Sequence, residues 1–309
     1  MEAASVPAVG APTQRRRSKG IPERRLAKLM VAPSMVLIAI VAAWPIIYAI
    51  WLSLHEYSVR QAGLSRWAGP LGLRNYSSAL SNPDWWAALE HTLIFTVASV
   101  ALELLIGLGM ALAMHAAFRG QGLLRTVVLV PWAVLTVVTA VMWRTMFVSP
   151  YGFVNTILGT TTVWLGSEPQ ALIVIIIADV WKTAPFMALL ILAGLQVIPG
   201  EVYEAAEVDG ASTWQRFTRI TLPLLMPAIL VALIFRTLDA LRIFDLPYVL
   251  TGGQNGTSTL STIAQEAFAT NRIYGLGSAM AVLTFLIVML VSFSYIRFVG
   301  GNLRGLAEE

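Results

Sequence analysis

The sequence contains no cysteine, which removes disulfides and Cys-ligated metals from consideration and leaves no thiol-based sign of redox compartment. Charge is scarce. Asp, Glu, Lys and Arg make up 12% of residues, against roughly 25% in a soluble domain. The three histidines, His55, His91 and His115, stand far apart without ligand spacing and read as interfacial or helix-end residues. Lysine occurs only at Lys19, Lys28 and Lys182, and no G-x-x-x-x-G-K-[ST] loop is present to cradle a nucleotide phosphate. Outside the apolar segments there is no nucleophile with a plausible base and no carboxylate cluster beside a metal ligand. The chain therefore reads as a non-enzyme.

What it has in abundance is apolar surface, with 57% hydrophobic residues and a mean hydropathy of +0.72. A membrane-spanning helix needs about 20 mostly apolar residues. Six segments qualify: 29–54, 88–116, 123–148, 171–197, 224–250 and 277–299. The expected fold class is an all-α integral membrane protein with six transmembrane helices. The first apolar run continues well past the 7–15 residues of a cleaved signal and reads as an uncleaved span.

The net charge of +4 is distributed as a topology signal rather than as a nucleic-acid surface. Arg15, Arg16, Arg17, Lys19, Arg24, Arg25 and Lys28 precede the first span, which places the N-terminus in the cytoplasm by the positive-inside rule. Alternation then puts Arg119, Arg125, Arg216, Arg219, Arg297 and Arg304 inside. Arg60, Arg66, Arg74 and Arg272 fall outside, so the first outer loop departs from the rule. The domain reading is a basic tail over 1–28, too poor in apolar residues to fold alone, a membrane domain over 29–299 and a cytoplasmic tail over 300–309.

One connection stands apart, the segment 198–223 between the fourth and fifth spans. Pro199 near its entry and Glu201, Glu204 and Glu207 suit the start of a short helix, whose positive end favours acids. Gly210 supplies a left-handed stop. Ser212 with Gln215 three residues on forms a capping box for a second helix, and Pro223 is expected to end it. Ala205 and Ala206 offer a small-residue surface that another protein can approach closely. Local physics leaves open whether this is a docking element or simply a well-capped loop.

The pattern Glu204-Ala205-Ala206, then Gly210 after three residues, then Ile220, Leu222 and Pro223 after nine more, resembles the EAA signature of ABC-importer permeases. That resemblance implies a type I permease fold in which this loop is the coupling helix, seated in a groove of a separate nucleotide-binding subunit. It implies that Glu204 acts by polar contact and Gly210 by permitting the turn; Asp209 is common in the sugar-importing branch. ATP and Mg would be bound by the partner ATPase, with no cofactor in this chain.

Two spans concentrate charge, which is costly in a bilayer and points to a protein interior or water-filled path. The fourth carries Asp179 and Lys182 with Trp181 nearby; the fifth carries Arg236, Asp239, Arg242 and Asp245 at steps of three, read as one slowly rotating stripe. One reading is internal neutralisation, Asp179 with Lys182 and Arg236 with Asp239. The other is a substrate path, with Trp181, Phe186, Phe235 and Phe244 as aromatic faces for a sugar ring. Pro185 and Pro227 are expected to interrupt their helices.

Further short motifs extend the resemblance over nearly the whole chain: Gly72-Leu-Arg-Asn-Tyr76, Gly152-Phe-Val-Asn155, Phe244-Asp245 and Thr251-Gly-Gly253 are similar to the first permease of maltose-type and glycerol-phosphate-type importers. The run from Phe235 to Asp245 is similar to trehalose-importing members. The resemblance implies a second permease subunit, two ATPase subunits, a lipid-anchored or periplasmic sugar-binding protein, and trehalose as cargo. Rival readings are another disaccharide or glycerol phosphate, a proton-driven carrier using Asp179, Asp239 and Asp245, and a membrane scaffold.

Overall fold

The computed structural model describes residues 23–57, 71–116 and 119–307. Arg15, Arg16, Arg17, Lys19, Arg60 and Arg66, and with them most of the 1–28 tail, lie outside the described residues. Regular structure among the described residues is helical apart from one isolated bridge between His55 and Leu71. The chain divides into two units, residues 1–48 and 49–309. The first consists of most of α1 (Glu23–Ser53), which includes an apolar stretch long enough to cross a membrane.

In the second unit α2 (Arg74–Leu80) leads into α3 (Pro83–His115), followed by α4 (Gln121–Ala133), α5 (Thr136–Phe147), α6 (Phe153–Leu158) and α7 (Gln170–Leu195). The pair α8 (Gly200–Val208) and α9 (Thr213–Arg216) precedes α10 (Leu222–Ala240), α11 (Asp245–Thr251), α12 (Leu260–Gln265) and α13 (Tyr274–Ala307). Two π turns, Phe217–Thr221 and Glu266–Thr270, interrupt this series. The helices begin where local chemistry directs. At α3, the Asn82 side chain accepts from the Asp84 N–H at 2.9 Å and Pro83 occupies the first turn, where its missing N–H costs nothing.

α7 is the central helix: 67% of its apolar window is buried, against 33% for α3 and 22% for α10. Its faces carry Ile175 and Ile176 toward one apolar cluster and Met187, Ile191 and Leu195 toward a second with Leu225 and Ile229 of α10. Lipid tails are as apolar as these side chains, so tight packing rather than water exclusion holds the spans together. Gly194 shows the consequence. A Cβ there would stand 2.4 Å from the Ala228 Cβ, so α7 and α10 approach to a distance only glycine permits.

The third span departs from the sequence reading of one continuous helix over 123–148. α4 and α5 meet at an 87° bend. Val134 and Leu135 are extended, with ψ of 137° and 135°, and Pro131 withholds an N–H from the turn that precedes them. The fifth span is broken too. α10 stops at Ala240, and Arg242 lies in the turn before α11, so the expected four-residue charged stripe does not run along one helix.

Pro185 and Pro227, expected to interrupt, lie inside the unbroken α7 and α10. Pro185 is buried in the packed face of α7, which carries the helix across the lost ladder bond. Nor does Pro223 end a helix. The Leu222 N–H reaches back to the Phe217 carbonyl in the π turn, and the helix continues with Pro223 in its first turn. The final helix runs on to Ala307, beyond the apolar segment that ends at 299.

The short motifs of the loops tie elements together. Asn75 donates to the Ser53 and His55 carbonyls, both at 2.9 Å, and the Tyr76 hydroxyl lies 2.6 Å from that of Ser53. Asn155 accepts from the Trp164 indole at 2.8 Å and donates to the Thr162 carbonyl at 2.9 Å.

Candidate functional site

The segment 199–223 folds as a clasped helix pair. Pro199 precedes α8 in an extended conformation and Glu201 lies in its first turn. The Asp209, Gly210 and Ala211 N–H groups close onto the carbonyls of Ala205, Glu207 and Ala206 at 2.9 to 3.0 Å. Gly210 takes φ of +76°, where a Cβ would be strained. The capping box forms as its residues dictate: Ser212 N–H to Gln215 Oε1 at 2.8 Å, Gln215 N–H to Ser212 Oγ at 3.3 Å.

Two side-chain contacts fasten α8 to α9 and the π turn, Arg216 to Glu207 at 3.2 Å and the Tyr203 hydroxyl to Thr221 Oγ1 at 3.1 Å. These contacts tie the tip to its stem. Glu204, Ala205, Asp209 and Gly210 are exposed and Ala206 is half-buried. Val208 and Trp214 beside them are exposed at 88% and 71%, an apolar surface next to an acid. Ile220 and Leu222 are half-buried and Pro223 is exposed, all three in the stem rather than the tip.

The buried charges pair differently from the sequence reading. Arg236 donates through each of its nitrogens to a different acid: Nε to Glu103, one terminal nitrogen to Asp179, the other to Asp239 at 3.0 Å. Glu103, Asp179 and Arg236 are sealed, whereas the Asp239 side chain is 68% exposed. Thr183 donates to Glu103 at 2.7 Å and completes the cluster. It joins α3, α7 and α10. The Arg236–Asp239 pair matches expectation; Asp179 with Lys182 does not. Lys182 instead donates to the main-chain carbonyls of Val134, at 2.7 Å, and Trp132, at 3.4 Å, where the third span breaks. Those carbonyls have lost their helical partners, so they outcompete a carboxylate that Arg236 already satisfies.

The sequence reads Glu103 as a lone acid in the second span satisfied by a neighbouring helix, which is what Arg236 and Thr183 do, whereas nothing in it singles out Thr183. A solitary carboxylate in an apolar span was the available signal, because such a group must find a donor on a neighbouring helix. The remaining candidates stay apart from the cluster. Arg242 is exposed and bonds the Leu238 carbonyl at 3.0 Å, and Asp245 is exposed in the first turn of α11. Trp181 meets Trp143 edge-on at 6.1 Å, Phe186 stacks on Trp132 at 5.9 Å, Phe244 stacks on Tyr248 at 5.0 Å, and Phe235 is exposed at 59%.

Residues 103–302 match the family described as binding-protein-dependent transport system inner membrane component, a stretch that holds both the clasped pair and the charge cluster. The chain belongs to this family. The permease is 43% identical over 283 residues to the trehalose transport system permease protein SugA of Mycobacterium tuberculosis, covering 92% of this chain and 91% of that one. It is 44% identical over 281 residues to the trehalose/maltose transport system permease protein MalF of Thermococcus litoralis, covering 89% and 94%. Its fold is that of a subunit in the crystal structure of a bacterial ABC transporter involved in the import of the acidic polysaccharide alginate. That match has a TM-score of 0.77 at 22% identity, over 89% of this chain and 95% of the other.

The permease is thus a membrane-spanning transport subunit of an ABC importer with the type I fold, and not an enzyme. Membership in a transport-system family also disposes of the scaffold.

Proposed function

We propose that the permease forms, with a second permease subunit, the translocation path of an ATP-driven importer for trehalose or a closely related disaccharide. The observation that carries this reading is the exposed, clasped pair α8–α9 with Glu204, Ala205 and Gly210 at its tip, in a chain over 40% identical to trehalose transport permeases of two organisms.

In this reading the tip faces the cytoplasm together with both termini. It docks into one of two ATPase subunits, which bind ATP and Mg; a lipid-anchored or periplasmic sugar-binding protein delivers cargo to the opposite side. The rigidity of the clasp supports the coupling role, because a load applied at Glu204 passes to α10 through Tyr203–Thr221 and the π turn rather than being lost in a flexible loop. The enclosure of Arg236 by three carboxylates supports a neutral cargo over glycerol phosphate, since that guanidinium has no face left for an anion.

The test is uptake of labelled trehalose in a strain lacking this chain, with and without its restoration. Uptake that falls on deletion and returns on complementation supports the assignment. Unchanged uptake on deletion rejects trehalose as the cargo.

A further inference from the structure

A cavity of about 770 Å3 opens between α5, the 163–166 segment, α11 and the π turn Glu266–Thr270. Trp164, Leu165 and Gly166 on its wall come just before α7, while the clasped pair comes just after it. The 26 residues of α7 make a rod of roughly 39 Å, so the cavity and the proposed ATPase contact lie at opposite ends of the central helix.

The lining has two kinds of surface. Phe147 and Trp164 meet edge to face at 5.9 Å and form an aromatic wall, and Tyr248, braced by its stack on Phe244, supplies a further ring. Between them stand Arg144, Gln254, Gln265 and Glu266. Arg144 has a single hydrogen bond among the described residues, to the Val249 carbonyl at 3.4 Å, and the side chains of Gln254, Gln265 and Glu266 have none. Arg144 and Glu266 share the cavity without forming an ion pair.

Uncommitted amides on a convex surface are ordinary because water satisfies them. Four polar groups converging on one concavity beside aromatic rings are a different matter: the rings accept the C–H face of a pyranose while amides and ions exchange hydrogen bonds with its hydroxyls. One cation and one acid leave the lining without net charge, which favours a neutral polyol over an anion. The volume falls within the roughly 300–1,000 Å3 of small-molecule sites and accommodates a disaccharide. Glu266 and Thr270 enter it from a π turn, a distortion concentrated at functional sites.

We propose that this cavity is a disaccharide-binding site at the entrance of the permease, separate from the buried Glu103–Asp179–Arg236 cluster, where cargo lodges between the binding protein and the spans. This rests on the reading of the chain as a sugar importer. The site would make the permease a participant in selection, rather than a passive channel for what the binding protein releases.

The test uses the assembled transporter in lipid nanodiscs without binding protein, titrated with radiolabelled trehalose, alongside uptake in cells. Saturable binding to the wild type is expected, weakened about tenfold by Gln265→Ala and by Tyr248→Ala, the loss expected from one directed polar or aromatic contact. In uptake the same variants raise KM by a similar factor and leave the maximal rate within about twofold. Wild-type uptake with KM and binding unaltered in both variants overturns the site while leaving the importer reading intact. Absence of any disaccharide uptake by the wild type sinks the disaccharide reading of the cargo itself.

A fall in maximal rate at constant KM assigns these residues to structure and also overturns the proposal. Because the chain has no cysteine, Gln254→Cys gives a single maleimide target in this subunit, read on its own band. Protection by trehalose supports the site; protection only by sugar-free binding protein makes the cavity a protein-docking surface and defeats it.

Discussion

The Lys182 ammonium donates to the Val134 carbonyl at 2.7 Å across 48 positions of sequence, at the break between α4 and α5. A helix that stops within hydrocarbon leaves carbonyls that neither water nor the next turn can satisfy, and each costs several kcal/mol if orphaned. A cation at that C-terminal end answers both the missing donors and the dipole. The fourth span thus brings a donor to the break in the third.

Lys182→Met removes that donor while keeping the length of the side chain. The variant is expected to lose about 1–3 kcal/mol, read as a lower midpoint of thermal unfolding in detergent, and Lys182→Arg is expected to recover most of it. A Lys182→Met permease as heat-stable as the wild type would show that the break is supported elsewhere.

Arg236 holds two sealed carboxylates, so Arg236→Met leaves buried negative charge unpaired and is expected to cost about 3–5 kcal/mol. Asp239→Asn, at the exposed edge of the same cluster, is expected to cost less than about 1 kcal/mol. Combining Arg236→Met with Glu103→Gln and Asp179→Asn removes the charges together and is expected to restore much of the loss. Yield of monodisperse protein and its melting temperature measure all three, and equal damage from Arg236→Met and Asp239→Asn contradicts the geometry.

At the tip, Glu204→Lys reverses an exposed charge and Gly210→Val forces a branched side chain into a left-handed turn, at roughly 1–2 kcal/mol of local strain. Each is expected to lower ATP-dependent uptake at least tenfold while the purified permease melts within a few degrees of the wild type. Full uptake by Glu204→Lys would remove that residue from the coupling contact.

Gly194→Val places carbon where Ala228 already stands and is expected to cost about 1–3 kcal/mol by overpacking. The exchange Gly194→Ala with Ala228→Gly moves the methyl group from one helix to the other and is expected to melt closer to the wild type than Gly194→Ala alone. If the pair is no better than the single change, the α7–α10 contact is looser than its 2.4 Å clearance implies.

Features set by neighbouring residues were legible in the sequence. Ser212 and Gln215 are three positions apart, and their capping box forms because nothing beyond that turn is needed for it. Gly210 adopts its turn for the same reason. Hydropathy located the spans but is blind to the backbone within them, so the segment 123–148 read as one helix although Pro131 lies inside it. The prolines that looked disruptive, Pro185 and Pro227, are carried by packing that only the fold supplies. Pairing was the least visible level. Lys182 lies one turn from Asp179, yet each is claimed by partners 48 and 57 positions away, and Glu103 meets Arg236 across 133.

The π turn Phe217–Thr221 holds one more residue than an α-helical path between the same ends would use. Tightening that turn to an ordinary ladder while keeping all its residues would swing α10 by about 100° and 1.5 Å relative to the tip. Arg236 would then turn away from Glu103 and Asp179 while Glu204 kept its place. The phase between the exposed tip and the buried charge cluster is thus kept by the wide turn that absorbs one extra amino acid, and tips exchanged between related permeases must carry the turn and that residue together.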